Sequence, residues 1–404
     1  MRTFLVIVIL ILYTTTIFGL DFLYMYQAGY QPDDILKFCS TYEKKTGTAV
    51  NVTFVPYDEV YETILRASRA NNPQYDVVLV DLIWVADLYA KGILKKIDAE
   101  LVTDFLQKVD SRIMKSFIQN GNILALPFLA NIQHFFYNKK ILNACGFEKP
   151  PRTLEEMKNM AIEAKKLGIL KYPIIESLRD KEVLLCELTW LSGCYGGKLQ
   201  EGDKLIVASK ANLKALKFLV SLFEEGLMNP ISLIIGEDEL RDIFDSGDAL
   251  FTTNWTYQSR FMNDSRYSTV VGKADIALIP GDLDYGTTVS GYQGLGILSN
   301  TDEFKKALDF VLSITSKEFY LENPNEIPIY PSLRIKNVDT EEIKFAQLSK
   351  VVDRPNVANY ILYSSILRRN LYMALQQLVK PEEALLTAVK DLRENGFEVA
   401  DPEF

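Results

Sequence analysis

The chain has 404 residues, 48% of them hydrophobic and 24% charged, with a formal net charge of −9 at pH 7. This length exceeds what a single hydrophobic core usually organises, so we expect two lobes. The acidic balance argues against nucleic acid or an anionic lipid surface as the partner, and it indicates nothing positive about a ligand.

Residues 1–19, MRTFLVIVILILYTTTIFG, have the layout of a secretory signal peptide. One positive charge, Arg2, precedes an apolar core at residues 4–13, which is too short for a membrane span of about 20 residues. We expect cleavage after Gly19, with an uncleaved N-terminal anchor as the alternative. Because no cysteine precedes Cys39, we expect no lipid attachment. The sequence therefore predicts a secreted protein, either periplasmic or extracellular.

Short apolar runs alternate with helical patterns in the first part of the chain. Residues 22–26, 50–55 and 77–80 have the composition of strands. Between the first two, a helix is predicted to begin at Pro32 and to end at Gly47. This β-α-β-α-β order predicts a mostly parallel sheet covered by helices, which is an α/β fold.

The segment YDVVLVDLIWVADLYAKGILKKID places candidate ligand contacts at the end of a predicted strand. Its apolar run stops at Asp81 and passes into a helical pattern that carries Trp84 and ends at Gly92. In open α/β sheets ligands bind at the carboxyl ends of strands, so Asp81 and Trp84 are candidate contacts. The alternative is that Asp81 only caps the helix and Trp84 packs in the core.

Helical patterns dominate the later part of the chain. A capping box at Thr153 and Glu156 predicts one helix start, and residues 212–225 and 237–246 are predicted to be helical. The glycine-rich residues 282–296 are typical of a linker, a binding loop or a pair of tight turns, and the sequence leaves these three open.

The cysteine and histidine pattern argues against the common catalytic and metal chemistries. Cys39, Cys145, Cys186 and Cys194 form no CxxC motif, so no zinc site is expected. Cys186 and Cys194 either form a local disulfide or pack as small buried hydrophobic residues. The only histidine, His134, lies in an apolar run without a GxSxG motif elsewhere, so it is expected to pack. We expect no catalytic residue, no metal and no cofactor.

Blocks of sequence in a characteristic order link the chain with a known family. They are YEKKTGTAVNVTFV, YDVVLVDLIWVADLYAKGILKKID, ALPFLANIQHFFYNKKILNACGFEKPPRTLEEM, TWLSGCYGG, ALKFLVSLFEEGLMNP, IFDSGDALFTTNWTYQ, DRPNVANYILYSS and PEEALLTAV. Each block alone is a weak signal, but together they span nearly all of the chain after the signal segment. The chain resembles bacterial extracellular solute-binding proteins of the carbohydrate group that includes the maltose-binding protein.

The resemblance implies a periplasmic-binding-protein fold, with two α/β lobes, a hinge, and a cleft that closes on a ligand. It implies a first lobe of residues 20–129 and 285–325, and a second of residues 130–284 and 326–404. It also implies a monomer that delivers a sugar or oligosaccharide to the permease of an ABC transporter. Since no P-loop motif occurs, this chain is not expected to hydrolyse ATP or to be an enzyme.

The resemblance also implies which residues contact the ligand. Asp81 and Trp84 match the strand-end loop of the family, where a carboxylate accepts from hydroxyl groups and a ring packs on the sugar. Asn131 stands where the maltose-binding protein has a carboxylate, so a different hydroxyl pattern or a different sugar is expected. Aromatic faces suit sugar C–H groups, and polar strand ends suit hydroxyl groups. The further expected contacts are Gln27, Trp190, Trp255, Tyr292 and Tyr360.

Two other functions remain open on the sequence. The same fold could bind a polyamine, an iron chelate or a phosphorylated polyol, because one fold hosts many ligands. An exported glycoside hydrolase would need two carboxyl groups at a defined separation across the scissile bond. Asp and Glu are plentiful, but abundance specifies no such pair, so sugar binding is favoured.

Overall fold

The computed structural model describes residues 19–27, 29–70, 73–334 and 339–404. The predicted signal peptide therefore lies outside the described residues, apart from Gly19. Within these ranges, no helix is both long enough and apolar enough to cross a membrane.

The strands are β1 (Leu20–Met25), β2 (Val50–Val55), β3 (Val77–Asp81), β4 (Ile118–Gln119), β5 (Asn122–Ile123), β6 (Ala125–Leu129), β7 (Gln133–Asn138), β8 (Gln200–Glu201), β9 (Lys204–Leu205), β10 (Phe251–Trp255), β11 (Ala274–Ala277), β12 (Thr288–Val289), β13 (Gln293–Ile297) and β14 (Val351–Val352). The α-helices are α1 (Pro32–Thr46), α2 (Tyr57–Ser68), α3 (Val85–Ala90), α4 (Thr103–Leu106), α5 (Ser111–Lys115), α6 (Lys139–Ala144), α7 (Leu154–Lys166), α8 (Glu182–Cys194), α9 (Lys210–Glu224), α10 (Glu237–Ser246), α11 (Gln258–Met262), α12 (Phe304–Ile314), α13 (Lys317–Glu322), α14 (Asp339–Leu348), α15 (Tyr360–Leu375) and α16 (Pro381–Glu394). Short 3-10 helices span Leu82–Trp84, Ala99–Val102, Pro230–Leu233 and Pro331–Leu333.

The first sheet has five strands in the order β2-β1-β3-β13-β6. β1 is parallel to both β2 and β3, which confirms the predicted β-α-β-α-β arrangement. β13 comes from far along the chain and is antiparallel to β3 and β6. Every residue of β3 is buried, as expected for an apolar strand covered on both faces. The carboxyl ends of β1 and β3 therefore lie together at one edge of the sheet.

The predicted helix boundaries in this part hold closely. α1 begins at Pro32, and Gly47 after it adopts φ 76°, a left-handed conformation that favours glycine. The helical pattern after Asp81 is divided into a 3-10 turn, Leu82–Trp84, and the short α3, with Gly92 at φ 64° beyond it.

The second sheet has three antiparallel strands in the order β10-β7-β11. Beside it, α8, α9, α15 and α16 pack against one another. Residues 183–192 of α8 are all buried, so this helix carries apolar residues on every side instead of one stripe.

Two chain segments cross side by side between the sheets. Residues 130–132 connect β6 with β7, and residues 290–292 connect β12 with β13. An antiparallel bridge joins Ile132 and Ser290, and Gly291 N donates to Asn131 O at 2.9 Å. The glycine-rich stretch thus contains two strands and a crossing segment, which none of the three open interpretations described.

The predicted limits of the two lobes stay a prediction. β12 pairs in parallel with β14 and packs against α8 and β7, so residues 288–289 lie with the second sheet. The chain joins the first sheet only at Gln293, eight positions after the predicted start of the first lobe's second stretch at residue 285.

Candidate ligand-binding site

A cavity of about 280 Å³ lies between the two sheets, at the carboxyl ends of β1 and β3. This volume is near the lower end of the range for ligand pockets, which is about 300–1,000 Å³. The lining residues are Met25, Gln27, Pro56, Tyr57, Asp58, Asp81, Asn131, Arg179, Lys181, Glu182, Val183, Cys186, Gly236, Glu237, Asp238, Glu239, Trp255, Tyr257, Gly291, Gln293 and Arg354.

Four of the predicted contacts lie together in this wall, namely Gln27, Asp81, Asn131 and Trp255. Gln27 follows β1, and its Oε1 accepts from Tyr57 N at 3.0 Å. Trp255 is the last residue of β10, and its Nε1 donates to Glu237 Oε1 at 3.5 Å. Strand ends bring these side chains together, as expected for open sheets. Their contact with a ligand stays a prediction.

Two predicted tryptophans lie in the core instead. Trp84 is buried and stacks on Tyr57, with ring centroids 5.5 Å apart and 26° between the planes. Trp190 is buried in α8, and its Nε1 donates to Glu187 Oε2 at 2.7 Å. Core packing was the alternative interpretation for both residues, and it is the one that the structure has. Trp84 contacts Tyr57, which lines the cavity.

The two predicted tyrosines also lie behind the wall. Tyr292 is fully buried, and its backbone oxygen accepts from Leu82 N at 3.1 Å. Tyr360 begins α15 and is fully buried, with its hydroxyl donating to Glu182 Oε1 at 2.6 Å. Tyr360 therefore holds a residue of the wall without lining the cavity itself.

Gly291 allows the Trp255 ring to approach the crossing segment closely. A Cβ atom at position 291 would lie 2.4 Å from Cζ3 of Trp255, a separation that no side chain tolerates. Glycine is thus required here for the position of an aromatic residue in the wall. The sequence had left the glycine-rich residues 282–296 open as a linker, a binding loop or a pair of tight turns.

Asp81 belongs to a buried network centred on Arg354. The arginine donates from Nη2 to Asp81 Oδ1 at 2.8 Å and from Nη1 to Glu182 Oε1 at 3.1 Å. Its Nε donates to the Ser290 backbone oxygen at 3.0 Å. The Tyr57 hydroxyl donates to Asp81 Oδ2 at 2.8 Å. Since Asp81 ends β3 and Glu182 begins α8, one guanidinium joins both sides of the cavity through the crossing segment.

The Arg354 network holds a buried cation against carboxylate partners. Burial alone would lower the pKa of the Arg354 guanidinium, but Asp81 and its other anionic neighbours raise that pKa well above the ordinary value. Asp81 also accepts from Ile83 N at 3.2 Å, at the start of the 3-10 turn. Asp81 thus caps the 3-10 turn and also lines the cavity, and its contact with a ligand stays a prediction.

Ion pairs at another part of the wall are more exposed. Lys181 Nζ lies 3.3 Å from Asp58 Oδ2. Arg179 Nη2 lies 4.0 Å from the same Asp58 oxygen and 3.6 Å from Glu237 Oε2. Asp58 is on α2, whereas Glu237 begins α10, so these pairs span the cavity. Burial raises the pKa of Glu237.

Two buried amide oxygens in the wall, Asn131 Oδ1 and Gln293 Oε1, have no hydrogen-bond partner among the described residues. Asn131 is in a crossing segment, Gln293 begins β13, and each is only 4% exposed. Leaving a buried acceptor unpaired costs about 1–3 kcal/mol. Both residues line the cavity, but the two oxygens themselves are buried, so a hydrogen-bond donor on a ligand reaches them only when the wall shifts.

A second group of buried carboxyl side chains lies behind the wall. Thr253 on β10 donates from Oγ1 to Glu176 Oε2 at 2.7 Å and to Glu187 Oε2 at 3.1 Å. Gln133 Nε2 donates to Glu187 Oε1 at 2.7 Å. Burial raises the pKa of Glu176 well above its ordinary value and raises that of Glu187 to about 7.

The residues considered for metal or disulfide chemistry lie apart from one another. Within the described ranges, no group of three or more His, Cys, Asp or Glu side chains could hold a metal ion. All four cysteines are free thiols, so the disulfide between Cys186 and Cys194 is not formed, and Cys186 lines the cavity. His134 is fully buried, which lowers its pKa to about 3 and keeps the ring neutral.

Sequence reasoning missed several residues of the wall. Arg354 lies in the block DRPNVANYILYSS and Gln293 in the glycine-rich residues 282–296, but neither was predicted as a ligand contact. Tyr57 and Glu182 were not singled out. No local pattern marks them, because their roles depend on distant partners, and Arg354 and Asp81 are 273 positions apart. A pairing of buried charges across such a separation becomes visible only in the folded chain.

Known proteins share both sequence and fold with this chain. A family model described as "Bacterial extracellular solute-binding protein" matches residues 28–320. A probable ABC transporter-binding protein of Deinococcus radiodurans is 25% identical over 303 residues, which cover 71% of this chain and 69% of that protein.

Two solved structures are similar over nearly their whole length. A solute-binding protein of an ABC transporter from Thermotoga lettingae, bound with α-D-tagatose, has a TM-score of 0.85 at 21% identity, covering 93% of this chain and 99% of its own. Maltose-bound MalE3 of T. maritima has a TM-score of 0.83 at 22% identity, with the same two coverages. The predicted two-lobed α/β fold is confirmed.

Proposed function

Because the chain belongs to the bacterial extracellular solute-binding protein family, we propose that it binds a small neutral sugar in its cavity and delivers it to the permease of an ABC transporter. The family consists of solute-binding proteins, so the chain is a binding protein and not an enzyme. It acts outside the cytoplasm, and we place it in the periplasm or the exterior as a monomer.

The observation that carries the sugar proposal is the pairing of aromatic rings with unpartnered polar atoms in one cavity. Tyr57, Trp255 and Tyr257 line it, and their faces suit the C–H surface of a sugar ring. Asn131 Oδ1 and Gln293 Oε1 need hydrogen-bond donors, which sugar hydroxyl groups supply. A site of this kind orients a ligand by a few polar groups on an otherwise packed wall.

The volume of the cavity favours a short ligand. About 280 Å³ suits a mono- or disaccharide better than a longer oligosaccharide, since drug-sized ligands occupy pockets of about 300–1,000 Å³. Tagatose is a monosaccharide and maltose a disaccharide, so the ligands of the two similar structures are of this size.

The crossing segments support closure of two lobes around the ligand. We place the hinge at residues 130–132 and 290–292, where the chain passes between the sheets. Besides the cavity contacts, Arg260 on α11 donates from Nη1 to Asp34 on α1 at 2.7 Å, joining helices of the two sides. Opening the cavity by a hinge motion would break this contact and the Lys181–Asp58 pair.

A polyamine is the second candidate ligand. The wall includes six carboxyl side chains and three cationic ones among its described residues. The sugar remains the better fit, because Asp81 and Glu182 already neutralise an arginine and Asp58 pairs with a lysine.

Native mass spectrometry of the purified protein, followed by calorimetry with hexoses, disaccharides and polyamines, tests the proposal. We expect a bound mass that matches a mono- or disaccharide, and heat with at least one sugar of that size. Binding of a polyamine or another solute, with no heat from any sugar, would overturn the sugar proposal.

The substitution Trp255→Ala tests whether the cavity is the site. We expect the affinity for the identified sugar to fall by about 2 kcal/mol or more, in the range of buried aromatic anchors. Trp190→Ala is the matched control, because it removes the same ring from the core of the same side without touching the wall. Equal losses of affinity in the two folded variants would show that Trp255 acts only through stability.

A further inference from the structure

Arg354 is the most deeply buried cation of the cavity wall. The described wall has three cationic side chains, and those of Arg179 and Lys181 are 33% and 49% exposed, whereas that of Arg354 is 2% exposed. A guanidinium without water as a partner must direct its N–H groups at fixed acceptors. Those acceptors decide what the arginine can offer a ligand.

Arg354 retains N–H groups for a molecule in the cavity. A guanidinium has five N–H groups. Nε donates to Ser290 O, one N–H of Nη1 donates to Glu182, and one of Nη2 donates to Asp81. The second N–H of Nη1 and of Nη2 has no acceptor among the described residues, and the side chain lines the cavity.

The surroundings of Arg354 remove its preference for anions. Asp81 and Glu182 place two carboxylates against one guanidinium, so the group of three carries a net negative charge. A ligand hydroxyl group can accept from the free N–H groups without charge repulsion. A ligand carboxylate at the same place would meet both protein carboxylates, and like charges brought together across an interface are strongly unfavourable.

The unpaired acceptors of the wall also favour a ligand hydroxyl group over a ligand carboxylate. Asn131 Oδ1 and Gln293 Oε1 need donors from the ligand. An ionised carboxylate has only acceptors, whereas a hydroxyl group can donate to one partner and accept from another. A neutral sugar therefore satisfies both the arginine and the amides.

We propose that Arg354 donates to a hydroxyl oxygen of the ligand, and that Asp81 and Glu182 make the site specific for neutral sugars against the corresponding sugar acids. This proposal rests on the proposed function, since it assigns the chemical class of ligand in the same cavity. The two carboxylates are specificity-determining residues that act through the arginine.

Calorimetry at pH 7 with matched pairs tests the proposal in the wild-type protein. The pairs are D-glucose with D-glucuronic acid, D-galactose with D-galacturonic acid, and D-mannose with D-mannuronic acid. For the pair whose neutral member binds most tightly, we expect the neutral sugar to bind at least about tenfold more tightly than its acid. Equal or tighter binding of the acid overturns the proposal and leaves the proposed function intact. Absence of binding by these sugars, and also by the disaccharides tested for the proposed function, overturns the proposed function as well.

The substitution Glu182→Gln tests the mechanism of the discrimination. It removes one neutralising charge while Arg354 stays, so the ratio of acid to neutral affinity should rise by about tenfold. Asp81→Asn changes the charge from the other side of the guanidinium and should shift the ratio in the same direction.

The control variant is Glu239→Gln, which removes an equal charge from the wall. Glu239 Oε2 accepts from Gly236 N at the start of α10, a role that glutamine can keep, and among the described residues it makes no hydrogen bond with an arginine side chain. We expect a smaller change in the ratio than in Glu182→Gln. An equal change in the two variants would mean that overall charge, and not Arg354, sets the specificity.

Discussion

Two groups of buried carboxyl side chains flank the cavity, and they differ in what surrounds them. Asp81 and Glu182 share the guanidinium of Arg354 on the side of the crossing segments. Glu176 and Glu187 share the hydroxyl of Thr253 behind the wall of the second sheet. The side chains of Asp81, Glu176 and Glu187 are buried, whereas that of Glu182 is 14% exposed.

The two groups differ in the side chains that donate hydrogen bonds to their carboxyl oxygens. The first group contains a cation, so its carboxylates face a positive charge and ordered N–H donors. Around Glu187 the hydrogen-bond donors among the described residues are the neutral side chains of Thr253, Gln133 and Trp190. Burial then raises the pKa of both glutamates of the second group. The comparison teaches that buried carboxyl groups can be held by a cation or by neutral donors alone, and that burial raises the pKa of the two glutamates held by neutral donors.

The largest effect should follow from removing the cation of the first group. Arg354→Met leaves Asp81 and Glu182 buried and close to each other without a positive charge. We expect a loss of about 3–5 kcal/mol in the free energy of unfolding, as for other buried ion pairs that lose one partner. Urea denaturation at pH 7 measures it.

The control is Arg260→Met, which removes an arginine from a more exposed pair with Asp34. It should cost about 1 kcal/mol or less. Similar losses in the two variants would contradict the view that Arg354 neutralises a buried group.

The second group, Glu176 and Glu187, should make the free energy of unfolding depend on pH. The pKa of Glu187 is raised from 4.5 to about 7 in the folded chain, so the folded state binds more protons than the unfolded state between these values. Stability from this group is therefore fully present below about pH 4.5 and is lost as the pH rises to about 7. A single group changes the unfolding free energy by at most about 1.4 kcal/mol per pH unit.

Glu187→Gln removes this group from the titration, because glutamine keeps the shape and cannot ionise. Since the charge of Glu187 also raises the pKa of Glu176, the variant reports on the pair Glu176 and Glu187 together. The difference in unfolding free energy between wild type and variant should change between pH 4.5 and 7 and be flat above. Asp245 and Glu326 have raised pKa values of about 7 and 8 and remain in both proteins, so their contribution cancels. A pH-independent difference would show that Glu187 stays ionised in the folded chain.

Much of the fold could be predicted because its signals are local. The apolar run before Asp81, the proline at 32 and the glycine at 47 determine strand and helix boundaries by burial and backbone conformation alone. The return of β13 to the first sheet was not visible in this way, since a short strand rich in glycine has no pattern of its own. It entered only through the family resemblance.

The candidate site could be predicted only in part, for a related reason. Asp81 was found because ligands bind at strand ends in open sheets, whereas Gln27 was expected only from the family resemblance. The tryptophans show the limit, since Trp255 lies in the wall and Trp190 in the core, although both were quoted from blocks of the same kind. Which side of a helix or strand faces a cavity depends on the packing of distant elements.

The smallest effect on the free energy of unfolding should come from an ion pair that is exposed to solvent. Lys181 and Asp58 have side chains that are 49% and 34% exposed, at a separation of 3.3 Å. Lys181→Met should lower the unfolding free energy by about 1 kcal/mol or less, and salt should reduce that difference because exposed pairs are screened. Measuring the variant at low and high sodium chloride separates this pair from the Arg354 network, whose buried charges are screened much less. A loss as large as that of Arg354→Met that does not change with salt would contradict this prediction. It would mean that Lys181 is also shielded from water, and the contrast between the two parts of the wall would no longer hold.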